Sequence, residues 1–449
     1  MRWVDDGNAA LLTDLYELTM AASYFAQGMN EPATFELFVR RLPGDRRFLV
    51  AAGLDDALHY LERLRFDDAA ISYLRSLGIF RAPFLEFLGG LRFTGEVWAM
   101  PEGEVFFPDE PVLRVTAPLI EAQIVETFLL NIINFQSLIA SKAARLALVC
   151  GERQFVDFSP RRDQGPDAAL KVARASYIGG AAATSNVLAG RAYGIPLSGT
   201  MAHSFIMSFA DEADAFRAFA RDFPERSILL IDTYDTVEGA RRAVSVAREL
   251  APEGIRIQGV RLDSGDLGEL SKAVRRILDD GGLAETRIFA SGDLDEFRIS
   301  ELLESGAPID AFGVGTQLGT SADAPALGGV YKLVEDSAGP KMKHSAGKIT
   351  WPGRKQVYRR VEGGVMAGDT IALATETGVG GEPLLRNVMA GGARLGEAES
   401  LTVIRERCAE RLRLLPGSLR RITGPFEPYP VEYSPGLVAM QEHTARDKS

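Results

Sequence analysis

Between residues 150 and 336, short apolar runs alternate with amphipathic helical patterns. This alternation constrains the fold more than any other feature of the chain. The runs are RQFVDF (153–158), GIPLSGT (194–200), SILLIDT (227–233), IRIQGVRLD (255–263), TRIFASG (286–292), IDAFGVGT (309–316) and GGVYKLVE (328–335). Helical patterns such as DTVEGARRAVSVAREL and LGELSKAVRRILDD lie between most of them. An apolar run without polar alternation is buried on both faces, as in a parallel sheet. Repeated βα units of about 30 residues leave two solutions, a doubly wound open sheet or a closed barrel. Successive strand ends are rich in small, charged or hydroxyl residues: DFSPRR, SGTMAHS, DTYDT, RLDSGD, ASGDLD and GVGT. A barrel gathers all its strand C-termini at one mouth, whereas an open sheet concentrates its chemistry at one switch point. The expected fold class is therefore α/β, with an irregular (β/α) barrel at its centre.

The flanks differ. Residues 91–117 and 341–375 are rich in β-branched and aromatic residues broken by Gly and Pro, and read as small antiparallel pieces. The expected domains are the barrel at 118–336 and a smaller α+β sandwich-like domain built from both chain ends, 1–117 and 337–449. Residues 401–422 read as one further helical stretch, broken at Pro416–Gly417. Lys plus Arg number 50 against 61 Asp plus Glu, a net charge of −11. That argues against a nucleic-acid or anionic-membrane binder, whose affinity rests on cationic surface. The two cysteines, Cys150 and Cys408, cannot build a disulfide framework or a Cys-rich zinc site, which suits a reducing cytosol. Asp5 and Asp6 stand where a secretory signal would be basic, and no apolar segment follows. The most apolar long stretch, 118–140, contains Glu121, Glu126 and two Asn; it reads as a buried or interface helix, not a membrane span. No nucleic-acid or membrane partner is expected, and the expected location is cytoplasmic.

Residues suited to chemistry cluster at the strand ends. The four histidines, His59, His203, His344 and His443, are scattered, so a metal-dependent aldolase or hydrolase would lack its ligand cluster. His203 lies among small residues at what reads as the end of a strand. A neutral imidazole nitrogen is a competent nucleophile near pH 7; the alternative is a structural histidine on a backbone carbonyl. Asp232, at the end of the next strand, is the candidate to fix the imidazole tautomer. It could instead cap the following helix, a job open also to Asp235 or Thr236. Arg261 and Asp263 alternate along VRLDSG, so both side chains fall on one face; the alternative is an internal salt bridge. Ser291 and Gly292 in SGD, and Gly313, Gly315 and Thr316 in GVGT, form turns whose N–H groups can approach phosphate oxygens unobstructed by a Cβ. No Walker A loop exists in the chain. SGDL occurs at 264–267 and 291–294, in both cases as a turn into a helix. Arg161 and Arg162 follow the first strand and suit an anion, although one of such a pair can equally be a solvated surface residue. The stretch SYIGGAAATSNVLAG reads as a helix whose small residues allow close packing.

TDLYELTM, SYIGGAAATSNVLAG, GTMAHSF, DTYDT, VRLDSGDL and DAFGVGTQL with PALGGVYKLV follow one another from about residue 11 to 335. In this ordered set the chain resembles the nicotinate phosphoribosyltransferase family. The resemblance implies that nicotinate and phosphoribosyl pyrophosphate give nicotinate mononucleotide and pyrophosphate, driven by ATP hydrolysis, as a step of NAD salvage. It also implies an irregular TIM-like barrel, a sandwich-like second domain and a homodimer with shared active sites. His203 would be phosphorylated, with Asp232 and Asp263 as catalytic carboxylates. Tyr16 (from the partner subunit), Thr200, Arg161 and Arg261 would surround the nicotinate. Arg162, Ser291, Gly292, Gly313, Gly315 and Thr316 would surround the phosphoribosyl phosphate. The carboxylate of Asp263 suits an oxocarbenium-like transition state at the anomeric carbon. Mg²⁺ is expected with ATP and phosphoribosyl pyrophosphate, because a hard cation neutralises the leaving group; its ligands do not follow from the motifs. Asp163 departs from the family pattern, in which a small residue is common there, and this leaves the arginine loop open. The motif spelling favours nicotinate. The alternatives are a relative preferring nicotinamide or quinolinate, or a non-catalytic homologue that binds a phosphorylated ligand. The intact His203, Asp232, Arg261 and Asp263 argue against the last.

Overall fold

The computed structural model describes residues 4–343 and 350–446. His344 and positions 344–349 of the predicted antiparallel segment lie outside the described residues. The chain divides into two compact units, one of Met1–Ser141, Ala326–Arg420 and Pro425–Ser449, the other of Lys142–Pro325 with Arg421–Gly424.

The second unit is built on a six-stranded parallel sheet. Its spatial order is Ala183–Thr184, Gln154–Asp157, Ala311–Val314, Arg287–Ala290, Gly259–Leu262, Ile228–Leu230. The two end strands are not paired with each other among the described residues. Helices Thr236–Leu250 and Leu267–Asp280 connect consecutive strands and bury an apolar stripe, Ala240, Ala243, Val244, Ala247 and Leu250 in the first of them. Both begin on an aspartate whose carboxylate accepts first-turn N–H groups: Asp235 from Glu238 at 2.8 Å, and Asp266 from Gly268 at 3.0 Å. Mixed α/β architecture around a parallel sheet is what the alternation predicts.

Two predicted runs behave differently. GIPLSGT is not a strand. Gly194 (φ 70°) ends the helix Val187–Tyr193, and Pro196 has no N–H to donate, so the segment makes one parallel bridge, Leu197 to Thr184. The neighbour of Gln154–Asp157 is instead the two-residue strand Ala183–Thr184. His203 therefore closes no strand; it opens the short helix His203–Met207. GGVYKLVE does form a strand, Gly329–Asp336, but in the other unit, antiparallel to Pro32–Val39. SYIGGAAATSNVLAG is broken too: it ends the helix Pro166–Ile178, turns at Gly180, forms Ala183–Thr184 and starts Val187–Tyr193. Its close packing is real, since a Cβ on Gly180 would lie 2.6 Å from the Ala147 Cβ.

In the first unit, strands from both chain ends share a seven-stranded antiparallel sheet. Its order is Gly339–Pro340, Gly329–Asp336, Pro32–Val39, Pro111–Pro118, Glu96–Ala99, Arg386–Ala390, Ala393–Arg394. Phe35 stacks on Tyr331 across it, with ring centroids 4.9 Å apart. Lys355–Glu362 and Val365–Leu373 form the centre of a further four-stranded sheet. The helix Glu126–Cys150 is long and apolar enough to cross a membrane, yet 72% of its most apolar window is buried within the protein, as befits a core helix. The division at Ser141/Lys142 falls inside this helix, whereas the sequence places a boundary at 117/118.

Candidate active site

The C-terminal ends of the parallel strands carry the polar cluster. After Ile228–Leu230 the chain presents Asp232 and Thr233 in succession. His203 Nδ1 is 3.1 Å from Thr233 Oγ1, and Nε2 is 3.7 Å from Asp263 Oδ2. The imidazole is thus held by Thr233, not by Asp232. The Asp232 carboxylate is buried and turned onto the next strand end, where Oδ2 accepts the Asp263 N–H at 2.8 Å and the Ser264 hydroxyl at 2.7 Å. The cap of the following helix falls to Asp235, so Asp232 is not the cap.

Asp263 is fixed on its other oxygen by Ser291, whose hydroxyl donates to Oδ1 at 2.5 Å. Ser291, placed by the sequence with the phosphate group, therefore has a partner inside the site. Gly292 (φ 99°) is required by the same approach, because a Cβ there would lie 2.1 Å from the Asp263 carbonyl oxygen. Gly313 makes room for a ring: its Cβ would meet Phe158 at 2.5 Å. Gly315 is open, with nothing nearer than the Phe158 carbonyl at 3.5 Å, and Thr316 beside it is exposed.

Arg261 lies two residues before Asp263, on the same face. Its Nη1 donates to Thr200 Oγ1 at 2.9 Å, while Nε is buried without a partner. Burial pushes the guanidinium pKa down; the charges of Asp263 and Asp232 oppose this, and the nearby Arg161 adds to it. A desolvated guanidinium beside a second one, with no direct carboxylate hydrogen bond, is a receptacle for an anion. Arg161 and Arg162 themselves are exposed on the loop after Gln154–Asp157.

Behind that loop lies a carboxylate pair absent from the sequence reading. The buried Asp157 accepts from the Ser159 hydroxyl (2.6 Å), the Ser159 N–H (2.9 Å) and the Thr184 hydroxyl (2.8 Å). Asp163 Oδ2 is 3.1 Å from the same Ser159 hydroxyl, and its Oδ1 is buried without a partner. One hydroxyl proton cannot serve two carboxylates. Asp157 has three donors, so a proton taken up by the pair as pH falls goes to Asp163, which burial raises to about 6, with Asp157 adding to the rise.

Tyr16 belongs to the first unit, on the helix Leu15–Ala26, and is 46% exposed. Its anchor is the next residue. The buried Glu17 accepts the Thr127 N–H at 3.0 Å, in the first turn of Glu126–Cys150, together with the hydroxyls of Thr127 and Thr13. Burial raises Glu17 to about 7. The motif TDLYELT thus pins one helix onto the start of another and leaves the tyrosine ring outside.

The structure therefore brings together His203, Asp232, Asp263, Arg261, Thr200 and Ser291. It adds Thr233 and Ser264, which sequence reasoning missed although each directly follows an aspartate that it singled out. Among the described residues no group of three or more His, Cys, Asp or Glu is arranged to hold a metal ion.

Family models for the nicotinate phosphoribosyltransferase N-terminal domain, the nicotinate phosphoribosyltransferase family and the nicotinate phosphoribosyltransferase C-terminal domain match residues 11–134, 153–343 and 377–441. Nicotinate phosphoribosyltransferase pncB2 of Mycobacterium tuberculosis is 50% identical over 430 residues, 96% of this chain and 92% of that protein. The nicotinate phosphoribosyltransferase of Bacillus subtilis is 44% identical over 381 residues, 83% of this chain and 77% of that protein. The crystal structure of human nicotinic acid phosphoribosyltransferase superposes with a TM-score of 0.86 at 32% identity, covering 96% of this chain and 99% of that one.

Proposed function

The chain belongs to the nicotinate phosphoribosyltransferase family, and from that premise we propose that it makes nicotinate mononucleotide and pyrophosphate from nicotinate and phosphoribosyl pyrophosphate. In this reading ATP hydrolysis is coupled to transfer through phosphorylation of His203. The observation that carries it is the convergence of His203, at the start of a short helix, with Arg261 and Asp263 at the end of the strand Gly259–Leu262, the ring nitrogen lying 3.7 Å from the carboxylate.

Each residue then has a task. Arg261, with Arg161 beside it, receives the nicotinate carboxylate, and the Thr200 hydroxyl holds the guanidinium in place. Asp263, locked by Ser291, offers Oδ2 to the anomeric carbon as positive charge develops there. Arg162, Gly315 and Thr316 line the ribose phosphate. Gly292 and Gly313 act through the close approaches that they permit. The partner's Tyr16 stacks on the pyridine ring in a homodimer, which its exposure supports. Mg²⁺, brought by the polyphosphate substrates, would supply positive charge to screen the departing pyrophosphate. The unpartnered Asp232 Oδ1 is a hard oxygen of the kind that would hold it. The parallel sheet closes as a barrel, and the enzyme works in the cytoplasm.

The test is turnover with nicotinate, nicotinamide and quinolinate side by side, each with and without ATP. Nicotinate should be converted fastest, and ATP should stimulate it. No product from nicotinate with every substrate present would refute the reaction. Equal rates with nicotinamide or quinolinate would refute the specificity.

A further inference from the structure

The geometry points to Thr233 as the residue that orients His203, and to Nε2 as the nitrogen that carries the phosphoryl group. This inference rests on the phosphohistidine reading above and adds to it a positioning residue and an atom.

Among the described residues the ring has one hydrogen-bonding contact, Nδ1 to Thr233 Oγ1 at 3.1 Å. Nε2 faces Asp263 Oδ2 at 3.7 Å, beyond hydrogen-bond distance, and the His203 side chain is 40% exposed. Whichever of the two groups donates, the threonine hydroxyl occupies Nδ1, and Nε2 is the nitrogen left open to a ligand; in the tautomer with Nδ1–H donating to the threonine oxygen, its lone pair is free. The usual carboxylate orienter is turned elsewhere: Asp232 Oδ2 accepts from Asp263 N–H and Ser264, and the ring's contact is with Thr233. A hydroxyl fixes the ring without adding negative charge where an anionic nucleotide must approach.

The step balances as follows. The Nε2 lone pair forms a bond to the γ-phosphorus of ATP. The bond from that phosphorus to the β–γ bridging oxygen breaks, and its electron pair leaves with ADP. The Nδ1 proton stays on the ring, held by Thr233. A phosphoryl group on Nε2 lies on the Asp263 side, so phosphorylation is sensed by the carboxylate assigned to the ribose. On Nδ1 it would displace the Thr233 hydroxyl instead.

The experiment uses the full-length enzyme as wild type, Thr233→Val and Thr233→Ser, each incubated with Mg²⁺ and γ-labelled ATP. Alkaline digestion and chromatography separate the two phosphohistidine isomers, and ¹⁵N NMR of the unliganded proteins reports the His203 tautomer. The expected isomer is Nε2-phosphohistidine, with an Nδ1–H tautomer in the free enzyme. Thr233→Val, which keeps the side-chain shape, should label about tenfold more slowly, the value of one lost hydrogen bond. It should also lose the tautomer preference, and Thr233→Ser should restore both. Label on Nδ1, or a Thr233→Val enzyme with wild-type labelling and tautomer, overturns the inference. A wild type that takes no label overturns the phosphohistidine reading and the nitrogen assignment with it. That failure is recognisable because the NMR tautomer still reports the Thr233 contact.

Discussion

Replacing Gly292 by alanine should damage the reaction through a residue that the alanine never touches. An ideal Cβ at Gly292 would lie 2.1 Å from the Asp263 carbonyl oxygen, and real Cβ contacts do not fall under 3.0 Å. The two backbones must therefore part by about 0.9 Å, the difference between those distances. The strands behind them are locked in register, Phe289 to Arg261 and Ala290 to Leu262, so the displacement falls on the strand ends. There it opens the 2.5 Å bond from Ser291 to Asp263 and shifts the carboxylate by about the same distance. A misplacement of roughly 1 Å at a reacting group is worth about 10²-fold in rate. The φ of 99° adds strain of about 1–3 kcal/mol to the folded state. The assay is kcat for nicotinate mononucleotide formation with and without ATP, alongside thermal unfolding. Both rates should fall together, because the transfer step itself is hit. Gly90→Ala is the control for folding: at the last position of the helix Ala82–Gly90 its Cβ meets nothing within 4 Å, and it should unfold like wild type. A Gly292→Ala enzyme with wild-type kcat would refute the argument that this glycine exists to place Asp263.

His203→Ala should lose ATP stimulation yet keep slow ATP-independent transfer, whereas Arg261→Ala and Asp263→Ala should lose transfer in both conditions by about two orders of magnitude; normal ATP stimulation of His203→Ala would make the histidine structural. Mixed dimers of Tyr16→Ala and His203→Ala should recover part of the activity if each site draws on both copies, and verified heterodimers that stay inactive would count against a shared site. Glu17, raised to about 7 by burial, binds its proton more tightly in the folded state than in the unfolded chain. That contribution to stability is complete below about pH 4.5 and lost by about pH 7, so Glu17→Gln should gain up to ~3 kcal/mol on wild type between urea melts at pH 5 and pH 8; a constant difference would show that Glu17 titrates normally. Asp163, raised to about 6, loses stability in the same direction as pH climbs from about 4 to 6. Asp163→Asn should flatten that slope, and an unchanged slope would place the shared proton elsewhere.

Local pattern revealed local structure well. The strands Gln154–Asp157, Ile228–Leu230, Gly259–Leu262, Arg287–Ala290 and Ala311–Val314 all fall inside predicted runs, because a strand buried on both faces has no polar alternation to blur it. Ala183–Thr184 is too short to show any period. GIPLSGT imitates a strand in composition, but the left-handed Gly194 and the missing Pro196 N–H deny it a ladder. GGVYKLVE shows the other limit. Periodicity reports that a segment is extended, not which segment pairs with it, and the partner of Lys332 is Glu36, near the other end of the chain. The site follows the same rule. Arg261 and Asp263 share a face because period two demands it. The choice between Asp232 and Thr233 for the imidazole depends on where a short helix carrying His203 lands, and no spacing within the sequence encodes that.

The pairing of Pro32–Val39 with Gly329–Asp336 has a consequence for how the chain is made. The strand Pro32–Val39 can find Pro111–Pro118 early, but its other edge waits for residues some 300 positions later. At ordinary translation speeds that interval is roughly 15–60 s. Throughout it, the nascent protein presents an unpaired apolar strand edge, the kind of surface that recruits other strands. Lys142–Pro325, nearly contiguous in sequence, can meanwhile assemble its sheet. Vectorial synthesis thus favours completing the catalytic strands first and sealing the sheet shared by the two chain ends last. Production of this enzyme should accordingly depend on holdase capacity and elongation rate more than its finished stability would suggest.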